Sequence, residues 1–231
     1  MKKSLFPMIV SLAVALGAFN ACGAPKPSAE HPIKVACVGD SITFGMGAPK
    51  GKSYPSQLQA LLGDQWKVGN FGVSARTLLK KGDHPYWIEK AFKDAQAFQP
   101  NIVVIMLGTN DTKSLNWPHH DEFYADYKAL VQTFQNLASK PRVYICRPVP
   151  VPAPGNYGIN EANLDVEIPI IDQVAKDTHA GMIDLHAALE KSPQLFPDHI
   201  HPNAQGAALM AQTIANVLTE KSAPAMPAGT P

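Results

Sequence analysis

The sequence predicts an α/β domain with a five-stranded parallel sheet, and three observations carry that prediction. Apolar runs of strand length recur five times, segments of helical spacing lie between them, and clusters of polar residues follow the strand ends. Strands alternating with helices are joined by right-handed crossovers, which build a parallel sheet within one domain. The 231 residues are 45% apolar and 17% charged, with 20 basic against 19 acidic side chains. That is enough apolar surface for one large core, and too balanced a charge for a polybasic nucleic-acid binder or a disordered chain.

Taken in chain order, the first segment reads as an export signal over residues 1–21. Met1-Lys2-Lys3 is basic, Leu5 to Phe19 is largely apolar, and small residues follow from Asn20 to Ala24. The expected location is therefore periplasmic or extracellular. Two processing readings stay open: a signal-peptidase cut among Ala21 to Ala24, or a lipoprotein cut before Cys22, which would then anchor the chain to a membrane through lipid. Phe19-Asn20-Ala21-Cys22 resembles a loose bacterial lipobox. Residues 22–31 have the composition of a tether, the domain is expected over 32–220, and residues 221–231 read as a flexible Ala/Pro/Gly-rich tail. Removing residues 1–21 takes away two lysines and no acid, turning 20 basic against 19 acidic into 18 against 19. No strong field remains to steer a highly charged polymer.

The expected strands are Ile33 to Val38, Trp66 to Val73, Ile102 to Leu107, Val143 to Cys146 and Met182 to Leu185. Most are nearly continuously apolar, as strands covered on both faces are. Helices are expected over Tyr54 to Leu62, Tyr86 to Phe98, Glu122 to Ala138, Glu161 to Thr178 and Pro202 to Leu218. Cys37 and Cys146 fall inside strand runs and lack any redox or metal spacing, so both are expected as buried free thiols. The stretch Arg147 to Gly158 holds four prolines after a strand end. It reads as a stiff loop, placed to form a wall facing substrate.

Four polar clusters hold the candidate chemistry: Gly39-Asp40-Ser41, Asn70-Phe71-Gly72-Val73-Ser74-Ala75-Arg76, Gly108-Thr109-Asn110-Asp111 and Asp198-His199-Ile200-His201-Pro202. Parallel strands deliver their C-terminal ends to one edge, so these groups can meet in space. A serine hydroxyl needs a base to take its proton, and His201 is the candidate for Ser41. The imidazole needs a carboxylate to fix its tautomer, and Asp198 precedes it by three residues. An oxyanion needs preorganised donors, expected from the N–H groups of Ser41 and Gly72 and the Asn110 amide. Asp40 reads as a turn residue, Asp111 as a hydrogen-bonded support, and His199 as exposed. Each residue alone also suits a cap or turn; their joint order favours acyl transfer.

These blocks resemble the SGNH (GDSL-type) esterase and lipase superfamily, with Gly39-Asp40-Ser41, Gly72, Gly108 to Asp111 and Asp198-x-x-His201-Pro202 standing for its four blocks. The resemblance implies a flavodoxin-like three-layer α/β/α sandwich. It also implies Ser41 as nucleophile, and Ser41, Gly72 and Asn110 as the oxyanion hole. The second block departs from the pattern, since relatives often carry Ser-Gly where this chain has Ser74-Ala75. Polar and aromatic residues at the expected rim suit a sugar, and Arg76, Trp117 and Arg147 are candidate substrate contacts; Trp117 also suits packing, and Arg76 and Arg147 could instead bind a substrate carboxylate or simply pair with Asp or Glu at the surface. The chain looks like exported carbohydrate or sialate O-acetylesterases, which implies a small-molecule or glycan ester as substrate. The alternatives are a lysophospholipase, thioesterase or general short-chain esterase, and an inactive glycan-binding module. No cofactor is implied. His84, His119 and His120 lack metal-ligand spacing, so no metal site is expected.

Overall fold

The computed structural model describes residues 27–220. The expected signal, Cys22 and the expected tail lie outside the described residues. Five strands, β1 (Ile33–Gly39), β2 (Trp66–Gly72), β3 (Ile102–Met106), β4 (Arg142–Arg147) and β5 (Gly181–Asp184), form one all-parallel sheet in the order β2-β1-β3-β4-β5. The helices are α1 (Ser41–Phe44), α2 (Tyr54–Leu62), α3 (Lys90–Ala97), α4 (Phe123–Gln135), α5 (Glu161–Thr178), α6 (Leu185–Leu189) and α7 (Ala204–Glu220).

Alternate side chains along each strand feed two cores, because a strand points successive residues to opposite faces. Val35 and Cys37 of β1, Val104 and Met106 of β3 and Tyr144 and Cys146 of β4 pack with Leu58 of α2, Leu185 of α6 and Met210 and Ile214 of α7. Ala36 and Val38, Val103 and Ile105, and Val143 and Ile145 pack on the other face with Phe92 of α3, Tyr127 and Phe134 of α4 and Ile171 of α5. The result is the expected three-layer sandwich. The central strands β1, β3 and β4 are almost wholly buried, whereas β2 and β5, at the edges, are only partly covered.

Cys37 and Cys146 are buried and free. Burial pushes the Cys37 thiol up to about 12, against a smaller opposing effect of its hydrogen bond with Tyr54, and raises Cys146 as well. Neither is a ready thiolate.

The expected helix from Tyr86 to Phe98 is split, with a short 3₁₀ turn over Tyr86–Ile88 before α3. Pro85 fixes the entry to that turn, and Glu89, in an extended conformation, separates the two pieces. The proline-rich loop after β4 runs over the C-terminal edge of the sheet and is tied down by Glu161, whose Oε2 accepts from the Val151 N–H at 2.6 Å.

Candidate active site

The sharp turn after β1 sets Ser41 at the first position of α1. Asp40 caps that helix, its Oδ1 accepting from the Ile42 N–H at 2.9 Å. A side chain at Gly39 would lie 2.1 Å from Thr43 Oγ1 and 2.6 Å from the Met106 carbonyl, so the turn closes only with glycine there. At the other end of the chain, Asp198 folds the segment before α7 onto itself. Its Oδ1 accepts from the N–H groups of Ile200 at 3.0 Å and His201 at 2.7 Å, and its Oδ2 meets His201 Nδ1 at 2.6 Å. The other ring nitrogen, Nε2, lies 2.9 Å from Ser41 Oγ across 160 positions of sequence. Ser41 and His201 are 8% and 9% exposed, shielded from bulk water yet open to the cleft.

The third cluster supplies Asn110, buried on the 3₁₀ turn Thr109–Thr112 after β3. Its Nδ2 donates to the Arg76 carbonyl at 3.1 Å and to Asp40 Oδ2 at 3.3 Å, and its carbonyl accepts from Asn116 Nδ2 at 2.9 Å. Asp111 clamps the neighbouring loop, each carboxylate oxygen accepting one N–H, from Leu78 at 3.0 Å and from Leu79 at 2.7 Å. The support expected of Asp111 therefore has a definite object: it fixes the loop after β2 beside Asn110.

A cleft of about 320 Å³ opens at this point, lined by Ser41, Met46, Ser74, Ala75, Asn110, Lys113, Tyr157, Ile159 and His201. A larger hollow of about 670 Å³ lies among Pro32, Ile33, Lys34, Lys67, Asn101 and Arg142, at the N-terminal ends of the strands, and holds none of the four polar clusters.

Gly72, the expected oxyanion donor, does not line the cleft. Its N–H donates to Asn70 Oδ1 at 2.9 Å, and a Cβ on it would stand 2.2 Å from the Phe44 nitrogen. Gly72 is a glycine because the backbone of α1 runs against it. Three residues further on, Ala75 lines the cleft in the left-handed conformation, φ +66°. That conformation costs a residue with a side chain on the order of 1 kcal/mol, and it is one glycine adopts freely. The departure at Ser74-Ala75 was the signal that this position carries the special backbone.

None of the three expected substrate contacts lines the cleft. Arg147 holds Asp172 with two nitrogens and pairs with Asp184, on the flank of α5 and β5. Arg76 donates from Nε to Glu89 at 2.8 Å and from a terminal guanidinium nitrogen to the Ser74 carbonyl at 2.8 Å, so what it offers the site is its own backbone oxygen to Asn110. Trp117 stacks on His120 with ring centroids 4.7 Å apart. For the two arginines the structure shows the acidic pairing that the sequence left open as an alternative, and it supplies which acids they are. His199 is half-buried in a left-handed conformation, not exposed. Met46, Tyr157 and Ile159 were not singled out, although the last two stand on or beside the loop read as a substrate wall.

Burial and hydrogen bonding tune the carboxylates differently. Burial pushes Asp40 up to about 6 and Asp111 up to about 7, their backbone hydrogen bonds offsetting only part of the cost. Partial burial would also raise Asp198, but the bonds from the His201 ring and from the N–H groups of His201 and Ile200 outweigh it and hold the carboxyl below its usual range. A negative Asp198 suits a neighbour that must stabilise an imidazolium. Among the described residues one Glu–Asp–His group gathers within 4.8 Å, Glu161, Asp165 and His186. Glu161 is already engaged with His186 Nε2 at 2.7 Å and with the Val151 N–H, so the group anchors the proline-rich loop.

A parallel sheet of this order is flavodoxin-like, and it gathers the serine, histidine and aspartate of the relay beside Asn110 at one cleft. The model of the GDSL-like lipase/acylhydrolase family matches residues 37–209, and the chain belongs to that family. It is 43% identical over 212 residues to an acetylxylan esterase of Xylanibacter ruminicola, an alignment that covers 83% of this chain. The matched region spans 44% of that relative's length. Among solved structures it is similar to a carbohydrate acetylesterase, Est24, from Sinorhizobium meliloti, with TM-score 0.66 and 22% identity over 81% of this chain and 99% of that one. It is also similar to the acetyl xylan esterase AlAXEase, with TM-score 0.63 and 24% identity over 80% and 100% of the two chains. These two likenesses bear on the fold.

Proposed function

We propose that this protein is an exported serine esterase that removes acetyl groups from O-acetylated carbohydrates. The observation that carries the reading is the continuous relay from Ser41 Oγ to His201 Nε2 at 2.9 Å and from His201 Nδ1 to Asp198 Oδ2 at 2.6 Å, at the floor of a cleft. His201 takes the hydroxyl proton as Ser41 attacks the ester carbon, and the tetrahedral oxyanion turns toward the N–H groups of Ser41 and Ala75; the Asn110 amide, which gives both its N–H groups to the Arg76 carbonyl and Asp40 at rest, joins them by releasing the longer 3.3 Å bond to Asp40. His201 then hands the proton to the departing alcohol. In the second half it takes a proton from the water that attacks the acetyl-serine, and returns that proton to Ser41 Oγ as the acyl–oxygen bond breaks and acetate leaves. Asp198 keeps the Nδ1–H tautomer and the cationic ring in place throughout.

The acetyl and carbohydrate parts of the reading are supported by the name of the 43%-identical relative and by the modest cleft volume of about 320 Å³. Export is supported by the basic start and apolar stretch of residues 1–21. The lipid anchor through Cys22 and the soluble secreted form are distinguished by the mass of the mature N-terminus. The apolar lining from Met46, Tyr157 and Ile159 favours a second reading, an esterase for longer acyl chains.

The test is acetate release from acetylated xylan by the mature domain beside a Ser41→Ala variant, with a chain-length series of nitrophenyl esters. Release that falls by about 10⁴-fold or more in the variant, with rates dropping steeply beyond acetyl, is the expected result. A maximum at longer chains selects the second reading. No Ser41-dependent cleavage of any ester rejects both, and leaves a glycan-binding module.

A further inference from the structure

We propose that Tyr157 is the platform on which the sugar ring of the leaving alcohol stacks. This rests on the carbohydrate-ester reading above and assigns one side of the site. The alcohol oxygen must take its proton from His201 Nε2, so the sugar leaves on the imidazole side of Ser41 while the carbonyl oxygen turns to the donors. Tyr157 is the cleft-lining aromatic on that side, its ring centroid 6.1 Å from that of His201 and the two planes tilted by 52°.

The way Tyr157 is held argues for a role outside the fold. It is 62% exposed, so its ring contributes little burial to stability. Its backbone is nevertheless kept left-handed at φ +53°, an unfavourable conformation for a residue with a large side chain. Asn156 enforces it, accepting the Tyr157 N–H at Oδ1 at 2.8 Å and donating from Nδ2 to the Asp198 carbonyl at 3.1 Å. The loop that presents the ring is thereby latched to the residue that orients His201.

The C–H face of a pyranose is apolar, and a tyrosine ring offers matching area with few torsions to freeze. The tryptophans near the expected rim are occupied otherwise. Trp117 is stacked on His120, and Trp87 donates from Nε1 to the Leu78 carbonyl with Lys80 over its ring.

The test compares wild type, Tyr157→Ala and Tyr157→Phe on two acetate esters, acetylated xylo-oligosaccharide and ethyl acetate, whose alcohol has no ring to stack. The readout is the ratio of the two kcat/KM values. In Tyr157→Ala this ratio falls about tenfold, the scale on which one stacked ring acts, with most of the change in KM for the oligosaccharide; Tyr157→Phe restores it. An unchanged ratio in Tyr157→Ala overturns the platform, as does a loss in Tyr157→Phe equal to that in Tyr157→Ala. Wild type that cleaves ethyl acetate but not the oligosaccharide overturns the carbohydrate reading itself, before any variant is made.

Discussion

Asp198 and the pair Asp40 and Asp111 serve the same cleft with the same functional group in opposite states. Asp198 is partly open to solvent, collects three hydrogen bonds with His201 and Ile200, and is held below the usual carboxylate range. Asp40 and Asp111 are fully buried, hold backbone N–H groups and the Asn110 amide, and are pushed up to about 6 and about 7. In the proposed reaction one carboxylate faces the charge that appears on His201; the other two hold loops in shape. Burial is tolerable for the scaffolding acids because fixed N–H donors meet their oxygens, whereas the partner of an imidazolium has to stay ionised.

The largest test of that contrast is Asp198→Asn. The asparagine keeps an oxygen for the two backbone N–H groups but loses the charge and the acceptor that sets the imidazole tautomer. The turnover number is expected to fall by about 10³–10⁴-fold while the melting temperature barely moves, as read from ester kinetics beside calorimetry. A large fall in melting temperature would instead make Asp198 a scaffold like the other two.

Asp111→Ala is expected to act the other way round. It leaves the Leu78 and Leu79 N–H groups without their acceptor, each loss worth about 1–3 kcal/mol, which lowers the melting temperature by roughly 4–24 °C for a domain of this size. Activity then drops by about tenfold through the loop that carries Ala75, and less than in Asp198→Asn. Thermal melts that match wild type would show that the clamp is dispensable.

The smallest effect is a slope. A carboxyl raised in the folded state binds its proton more tightly there than when unfolded, so its contribution is fully present below the usual pKa of 3.8 and is lost as pH rises through about 6 for Asp40. Asp198, lowered by folding, contributes above the usual value, and that contribution is lost as pH falls through the lowered one. Asp40→Asn should therefore flatten the decline of melting temperature between about pH 4 and 6, and should not alter the acid limb below it. An identical decline in both proteins would place the buried proton elsewhere.

Much of this architecture was legible in the chain. Periodicity located all five strands, and α2 and α5 to the residue, because a buried strand needs a run of apolar side chains and a helix needs an apolar stripe. The Ser41, Asn110, Asp198 and His201 positions were legible because each follows a strand end or opens a helix, and a parallel sheet sends those points to one edge. Gly72 was misplaced because a sequence shows that a glycine is present, not whether its N–H points into a cleft or its missing Cβ makes room for α1. Arg76, Trp117 and Arg147 show a related limit, since type left both a substrate contact and an ordinary partner open, and only the structure shows the neighbours they hold, Glu89, His120, Asp172 and Asp184. The sequence alone thus determined the layers, the strand positions and the hydroxyl, imidazole and carboxylate of the relay, all set by local pattern and chain order. Tertiary structure decided that Ala75, not Gly72, lines the cleft and that Tyr157 stands 6.1 Å from His201, because backbone direction at a loop is set by packing between segments far apart in the chain.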